Sequence, residues 1–450
     1  ITGTKRSESA IYVMGNGSKA ATLTIANDDK PENAVTIRNT ATGEKEAAIT
    51  AKNGPQKALV DIKGLADIEQ AGADLLYATS GGEIRIGGGR FIAKGNEAKA
   101  VKITRASKVY LNAAEEGDGV KATSTERDVV LEGNVMLDGD GGVFGAALNR
   151  DTSYIRGIIG MSSGNGQARL LLSNGARWMN TSVGTRDGDY ASHLSHLKAD
   201  NGAIFQEDSK TLTIDKYSGT GKLFYRHTGD GTRPEDYAGG DTHIKKADAG
   251  SSITVVTDRE NVDTANEDKV YKVLNSLAGK LYYEDAKNDK TDLTGKAMIA
   301  EGLTASSASV EMKEILFKKD SGQGSVAAPT PPAPPTQPLD VADQISATGA
   351  LCAAQTQKWQ QKYVSDGNGN YTFAADVTLR AKADSSPLHL DNLVGNILFN
   401  DEGPNGSIDM KQNRLTLDAL ADSETKRAMG IGVIGSRLEI KNAGNVDINL

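Results

Sequence analysis

The chain has 450 residues, a formal net charge of −8, 5% aromatic residues and 50 glycines. Its acidity argues against a broad nucleic-acid surface and against docking to anionic lipid, both of which need clustered Lys and Arg. One cysteine, Cys352, excludes an intrachain disulfide framework, and so few aromatics suit thin stacked strands better than a large enzyme core.

Residues 1–150 carry short apolar triplets set among Gly, Asn, Asp and Lys: Leu23-Thr-Ile25, Val35-Thr-Ile37, Glu83-Ile-Arg-Ile86, Val101-Lys-Ile103, Val109-Tyr-Leu111, Val129-Val-Leu131 and Val135-Met-Leu137, with the longer run Ala58–Ile62. Apolar residues two apart bury one face of a strand. Short strands at irregular spacing predict an all-β chain, and a parallel β-helix rather than a sandwich. No apolar run reaches the roughly 18 residues that would span a bilayer as a helix. No signal peptide opens at Ile1, so the expectation is a leader already removed or a chain excised from a longer one.

The richest stretch runs from 170 to 226. LLLSNGARWMN occupies 170–180, SHLSHLKADNGAIF 192–205 and TLTIDKYSGTGKLFYR 211–226. The last segment predicts two alternating strands (Leu212 and Ile214, then Leu223 and Tyr225) about a Ser-Gly-Thr-Gly corner. Together these residues resemble the shared C-terminal part of autotransporter (type V secretion) passenger domains, the pertactin and AIDA-like adhesins of Gram-negative bacteria. The resemblance rests on Trp178, Leu194, Leu197, Ile204, Leu212-Thr-Ile214 and Tyr217-Ser-Gly-Thr-Gly221. It implies secretion, a right-handed parallel β-helix (solenoid) and adhesion. It also implies a C-terminal capping or autochaperone region, in which Trp178, Leu212, Ile214, Tyr217, Gly219 and Gly221 are structural.

Beyond it, Val270–Tyr283 places Val270, Val273, Leu274, Leu277 and Leu281 at helical spacing. That predicts a small, partly helical excursion. Six of the eleven prolines fall in 329–338, which reads as an extended spacer. Residues 339–450 return to strand triplets, including Val377-Thr-Leu379, Leu388-His-Leu390, Leu415-Thr-Leu417, Leu438-Glu-Ile440 and Val446-Asp-Ile448. They lack the ten-residue alternating strands of a membrane barrel. The expected division is 1–169 β-helix coils, 170–243 autochaperone-like coils, 244–320 excursion, 321–338 linker and 339–450 further coils. Two readings of the last segment stand side by side. It is physically the N-terminal part that precedes residue 1, or it is a separate tandem fragment.

Chemistry-bearing constellations are sparse. Asp138-Gly-Asp140-Gly, with Asp187 and Asp189, is the nearest to paired carboxylates for glycoside chemistry or to a Ca²⁺ loop. Asp-Gly pairs are also ordinary turn formers, and that reading is preferred. His193 and His196 lie three apart, and His227, His243 and His389 are scattered. A zinc pair needs a third close ligand, so surface or packing roles are preferred. Ser162 and Ser306 sit in turn-like surroundings without a G-x-S-x-G elbow. Arg85, Arg90, Lys94, Lys99 and Lys102 cluster in sequence, either as a basic patch or as a solvated face. No catalytic, metal or cofactor residue is assigned.

The expected function is that of a secreted cell-surface adhesin, non-enzymatic, with a polysaccharide lyase or hydrolase as the alternative. Its expected partners are host or bacterial glycans, matrix proteins or further copies of itself. The resemblance also implies an outer-membrane barrel as the chain's own C-terminal partner.

Overall fold

The computed structural model describes residues 9–39, 47–95, 99–162, 165–184, 190–226, 228, 234–236, 238–248, 251–257, 281–284, 290–292, 340–341, 363–365, 370–373, 376–382, 393–399, 405–420 and 427–449. Among them the structure is all β apart from two short 3-10 turns, Pro31–Asn33 and Pro234–Asp236. The strands belong to sheets of eight, 21, two and five strands. The chain divides into two compact units: Ile1–Asn112 with Asp138–Val143 and Ala327–Leu450, and Ala113–Leu137 with Phe144–Val326.

In the first unit three parallel ladders repeat one pattern. In one, Leu393–Phe399, Arg427–Ile434, Ile11–Met14, Ile49–Lys52, Leu76–Thr79 and Lys99–Thr104 pair in that order. In the second, Gly406–Asp409, Arg437–Lys441, Ala21–Ala26, the first half of Ala58–Ala71, the first half of Glu83–Lys94 and Lys108–Leu111 follow one another. In the third, Val377–Lys382, Arg414–Leu420, Asn445–Asn449, Val35–Asn39 and the second halves of the same two long strands do so. The long strands therefore serve two ladders each, with a register shift between Ile62 and Leu65 marking the bend.

Alternation explains the core. Ile408, Ile440, Ile25, Ile62, Ile86 and Leu111 stand in one in-register column, and all six are buried. Leu379, Leu417, Ile448, Ile37, Ile68 and Phe91 form another buried column. The intervening positions point outward and carry the polar residues, as period-2 burial requires.

The second unit builds on similar parallel pairings. Tyr154–Arg156, Arg177–Asn180 and His196–Gln206 pair in succession, followed by Tyr217–Tyr225 and Ser252–Thr257. Trp178 is fully buried, and its indole N–H donates to the Gly157 carbonyl at 2.9 Å. Phe205 and Phe224 meet ring to ring, 4.7 Å between centroids.

Several expectations are corrected by this topology. The right-handed β-helix solenoid with a capping region is replaced by an all-β arrangement of several parallel sheets, one of them eight-stranded, in two compact units. Chain order is broken in each ladder of the first unit where strands near the C-terminal end precede those near residue 1, which one continuous solenoid would not allow. Residues 427–449 pair directly with 11–39. Antiparallel pairs add to the mixture, at Ala113–Glu116 with Gly119–Ala122, Leu281–Glu284 with Lys290–Asp292, and Tyr363–Ser365 with Asn370–Phe373. Period-2 spacing tells which side of a strand is buried; it is silent on which strand lies beside it, and that is why the class was misjudged.

The 211–226 stretch is not a hairpin. Leu212–Ile214 pairs with His193–Leu194 and Thr242–Ile244, while Tyr217–Tyr225 is one strand running through Ser218-Gly-Thr-Gly221. The end of the expected helix, Leu281–Glu284, is a strand. The rest of that helix, the 321–338 spacer, Cys352, His227, His389, Asp187, Asp189 and Ser306 lie outside the described residues.

A fully buried indole with a satisfied N–H leaves a large void when truncated. Trp178→Ala is expected to lower unfolding free energy by about 3–5 kcal/mol. Urea titration followed by circular dichroism measures it, and a loss below about 1 kcal/mol would contradict the packing described here.

Candidate functional site

Five of the six positions singled out by the family resemblance are buried, and Gly219 is half-buried. Trp178, Leu212, Ile214 and Tyr217 are buried, and burial pushes the Tyr217 phenol pKa up. Gly219 has φ +89°, and a Cβ there would sit 1.9 Å from the Ala199 carbonyl oxygen. At Gly221 a Cβ would meet the Ala199 methyl at 2.6 Å and the Tyr217 hydroxyl at 3.0 Å. Both glycines let the Tyr217–Tyr225 strand approach His196–Gln206 closely, where the pairing itself is irregular between Asp200 and Gly202. Strands continue on both sides of this one, His196–Gln206 and Ser252–Thr257. These residues therefore build the stack.

The candidate site lies on the outward side of the third ladder of the first unit. Period-2 alternation turns every second residue of these strands outward, and the register then stacks them into rows. One row runs Thr378, Thr416, Asp447, Thr36, Asp67, Arg90. The next runs Asp418, Asn449, Arg38, Glu69. Ion pairs bind the rows together. Arg38 donates to the Asp67 carboxylate and, at 2.7 Å, to the Asp67 carbonyl. Arg90 bridges Asp67 and Glu69, each at 3.3 Å. Lys94 pairs with Glu69, and Arg414 lies 3.5 Å from Asp447.

The electrostatics differ along the row. Burial alone would raise the Glu69 carboxyl, but Lys94 and Arg90 together outweigh it and hold the group below its ordinary value. At Asp447 burial prevails over Arg414, Asn445, Arg38 and Thr36, and the pKa is raised. Neighbouring strands are about 4.8 Å apart. Asp447 and Asp67, two strands apart, therefore stand roughly 10 Å from each other along the row, with Glu69 two residues beyond Asp67.

The basic cluster read from the sequence is dispersed by this geometry. Arg85 pairs with Glu83 at 2.5 Å, Arg90 and Lys94 belong to the row above, and Lys102 lies 5.3 Å over the Tyr77 ring. Lys99 is buried. The outcome is an alternating-charge face, which sequence proximity of the cations could not reveal because the acids that meet Arg90 and Lys94 come from another strand. Asp67, Asp447 and Arg414 were all missed. The signal was present as Asp-Ile (Asp67-Ile68, Asp447-Ile448) and Arg-x-Thr (Arg414–Thr416) at outward strand positions.

In the second unit His193 and His196 go separate ways. The His193 Nε2 lies 2.8 Å from Asp215 Oδ1, which also takes Lys245 at 2.8 Å. His196 Nε2 lies 3.0 Å from the Ser218 hydroxyl, and the ring packs beneath Gly119 of the Ala113–Ala122 hairpin. Burial, then the Lys216 ammonium, lowers the His196 pKa, with Asp118 and Asp248 opposing. Asp138 ends the Asn134–Asp138 strand and Asp140 sits in the turn that follows, where its carbonyl accepts the Ala106 N–H at 2.8 Å, in line with the Asp-Gly turn reading. Among the described residues no three His, Cys, Asp or Glu side chains are grouped to hold a metal ion.

No protein-family model, no curated protein and no solved structure matches this chain.

Two outcomes are expected. Asp67 is nearly inaccessible between two arginines that are themselves half-exposed, with side-chain exposure of 5% against 32% and 21%. Asp67→Asn is expected to cost about 1–3 kcal/mol in a denaturant titration at pH 7, the range for losing charged hydrogen bonds. The second concerns pH. His196 binds its proton less readily folded than unfolded, so between its lowered folded pKa and the unfolded value near 6.5 the unfolded chain carries more protons. Stability from this group is complete above about pH 6.5 and falls as pH drops below it. The urea midpoint is expected to decline from pH 7.5 to 5.5 in the parent chain and to decline less in His196→Gln; equal declines would remove His196 as the cause.

Proposed function

We propose that this chain is a secreted, non-enzymatic cell-surface adhesin, the passenger part of an autotransporter, acting through many weak polar contacts. The observation that carries the reading is the row Thr416, Asp447, Thr36, Asp67, Arg90 beside Asp418, Asn449, Arg38, Glu69. Parallel strands in register present the Thr416 and Thr36 hydroxyls, the Asn449 amide, the Asp418 and Glu69 carboxylates and the Arg38 and Arg90 guanidinium groups at the strand spacing, with Asp67 beneath them holding the arginines, in lines that a glycan, a matrix protein or a like surface can match. Each contact is weak, and avidity comes from many copies displayed on one cell. The sequence resemblance of 170–226 supplies the secretion route and an outer-membrane barrel as the implied partner. Asp67 and Glu69 are engaged by Arg38, Arg90 and Lys94, which suits a standing surface better than carboxylates that must exchange protons.

A second reading has one observation in its favour. Asp447, with its raised pKa, shares a face with Asp67 about 10 Å away, just beyond the roughly 6.5–9.5 Å that separates the two carboxyls of inverting glycosidases.

One experiment separates them. Beads coated with the chain are expected to aggregate, or to bind a subset of a glycan array, at low ionic strength. They are expected to lose most of that binding near 1 M salt and in an Arg38→Ala/Lys94→Ala chain. Depolymerisation of an acidic polysaccharide by the purified chain, abolished in Asp447→Asn and without bead adhesion, would replace the adhesin with the enzyme.

A further inference from the structure

The first unit is assembled from two pieces of chain far apart in sequence, Ile1–Asn112 and Ala327–Leu450, with the second unit inserted between them. The pieces meet along one seam. Ile11–Met14 pairs with 431–434, Thr22–Ala26 with 437–441 and Val35–Arg38 with 446–449, all parallel. Hydrogen bonds cross it outside the ladders as well: Thr22 N–H to Ser436 O at 3.0 Å, Ile431 N–H to Ala10 O at 2.9 Å, and Gly435 N–H to Met14 O at 2.9 Å. Its inner side is wholly apolar. Ile11, Val13, Leu23, Ile25, Val35 and Ile37 face Ile431, Val433, Leu438, Ile440, Val446 and Ile448, each 0% exposed. Its outer side has a polar key, because Asp447 is held by Thr36 and attracted by Arg38 from across the seam.

We propose that this seam also forms between chains: the strands of 427–449 in one copy dock on the Ile11–Asn39 edge of a second copy. The partner is the same sequence, so every ladder hydrogen bond, apolar contact and ion pair of the closed chain is reproduced in the exchanged one. Nothing in the seam distinguishes the two except the connection through residues 258–362 and the local protein concentration. An opened seam leaves unpaired strand edges and a bare Ile/Val/Leu column on both halves, and such an edge is the kind that recruits a strand. Exchange is reciprocal in a dimer, or runs head to tail into a chain of molecules if it does not close. Crowding of passengers on a surface favours it. The inference does not rest on the adhesin reading; it needs only the seam.

Thr24 and Glu439 are in-register neighbours across the seam, both partly exposed, at a separation a disulfide can bridge. In a Cys352→Ser background, a chain with both Thr24→Cys and Glu439→Cys is expected to cross-link within itself, which verifies the seam. Chains carrying one cysteine each are mixed, unfolded, refolded together at low and high concentration, and oxidised. The expected result is a Thr24→Cys to Glu439→Cys heterodimer that rises at least several-fold with concentration and matches a dimer or longer species by light scattering. Mixed chains that stay monomeric, while the double-cysteine chain closes on itself, would overturn the proposal. So would a natively folded double-cysteine chain that fails to close. If the substitutions prevent folding, the parent chain refolded over the same concentrations decides by light scattering: slowly dissociating dimers support exchange, and monomer throughout refutes it. Association that is rapid, salt-sensitive and without seam cross-links would belong to the polar face instead.

Discussion

The first unit depends on backbone hydrogen bonds between strands some four hundred residues apart in the chain. Without 427–449, the strands Ile11–Met14, Ala21–Ala26 and Val35–Asn39 would each lose one neighbour. A buried amide or carbonyl without a partner costs about as much as a lost hydrogen bond. The seam thus aligns the apolar columns, and the columns fix which residues turn outward. Arg38 reaches Asp67, and Thr36 reaches Asp447, only because the register places Val35 opposite Val446 on one side and Ala66 on the other.

The sequence was legible at the level of strands and faces. Leu23-Thr-Ile25, Val35-Thr-Ile37, Val101-Lys-Ile103, Leu438-Glu-Ile440 and Val446-Asp-Ile448 are strands with their apolar members buried, and Trp178, Leu212, Ile214 and Tyr217 are in the interior. Connectivity was not legible. An Ile-x-Ile triplet carries the same burial information whether its neighbour is the next triplet or one at the other end of the chain. The glycines of Ser218-Gly-Thr-Gly221 were read as a turn. Their actual service is close approach: Gly219 presses against the Ala199 carbonyl while the strand runs straight on. Glycine spacing alone does not separate those two uses.

The candidate site was hidden for a related reason. Arg85, Arg90, Lys94, Lys99 and Lys102 look like a basic patch because sequence proximity is what a reader sees. Strand register replaces that proximity with another. Arg90 meets Asp67 and Glu69 from the preceding strand, and Arg85 turns to Glu83. The acids that neutralise a cation in a parallel ladder sit about one strand repeat away, so a charge count over a local window overstates the positive field.

The two functional readings differ in what they require of this row. A reacting centre needs a carboxyl that can give or take a proton beside one that cannot. Asp447 and Glu69 are pushed in opposite directions, which meets that condition in part. Yet the raised pKa of Asp447 has a structural source, because its burial at the seam outweighs the opposing pull of Arg414, Asn445, Arg38 and Thr36. A carboxyl whose hydrogen bonds hold two distant parts of the chain in register would loosen that seam each time it changed protonation state. Its neighbours Asp67 and Glu69 are tied to three cations. The balance of forces therefore favours a fixed polar face whose charges hold register, and the same residues that shape that face also key the seam.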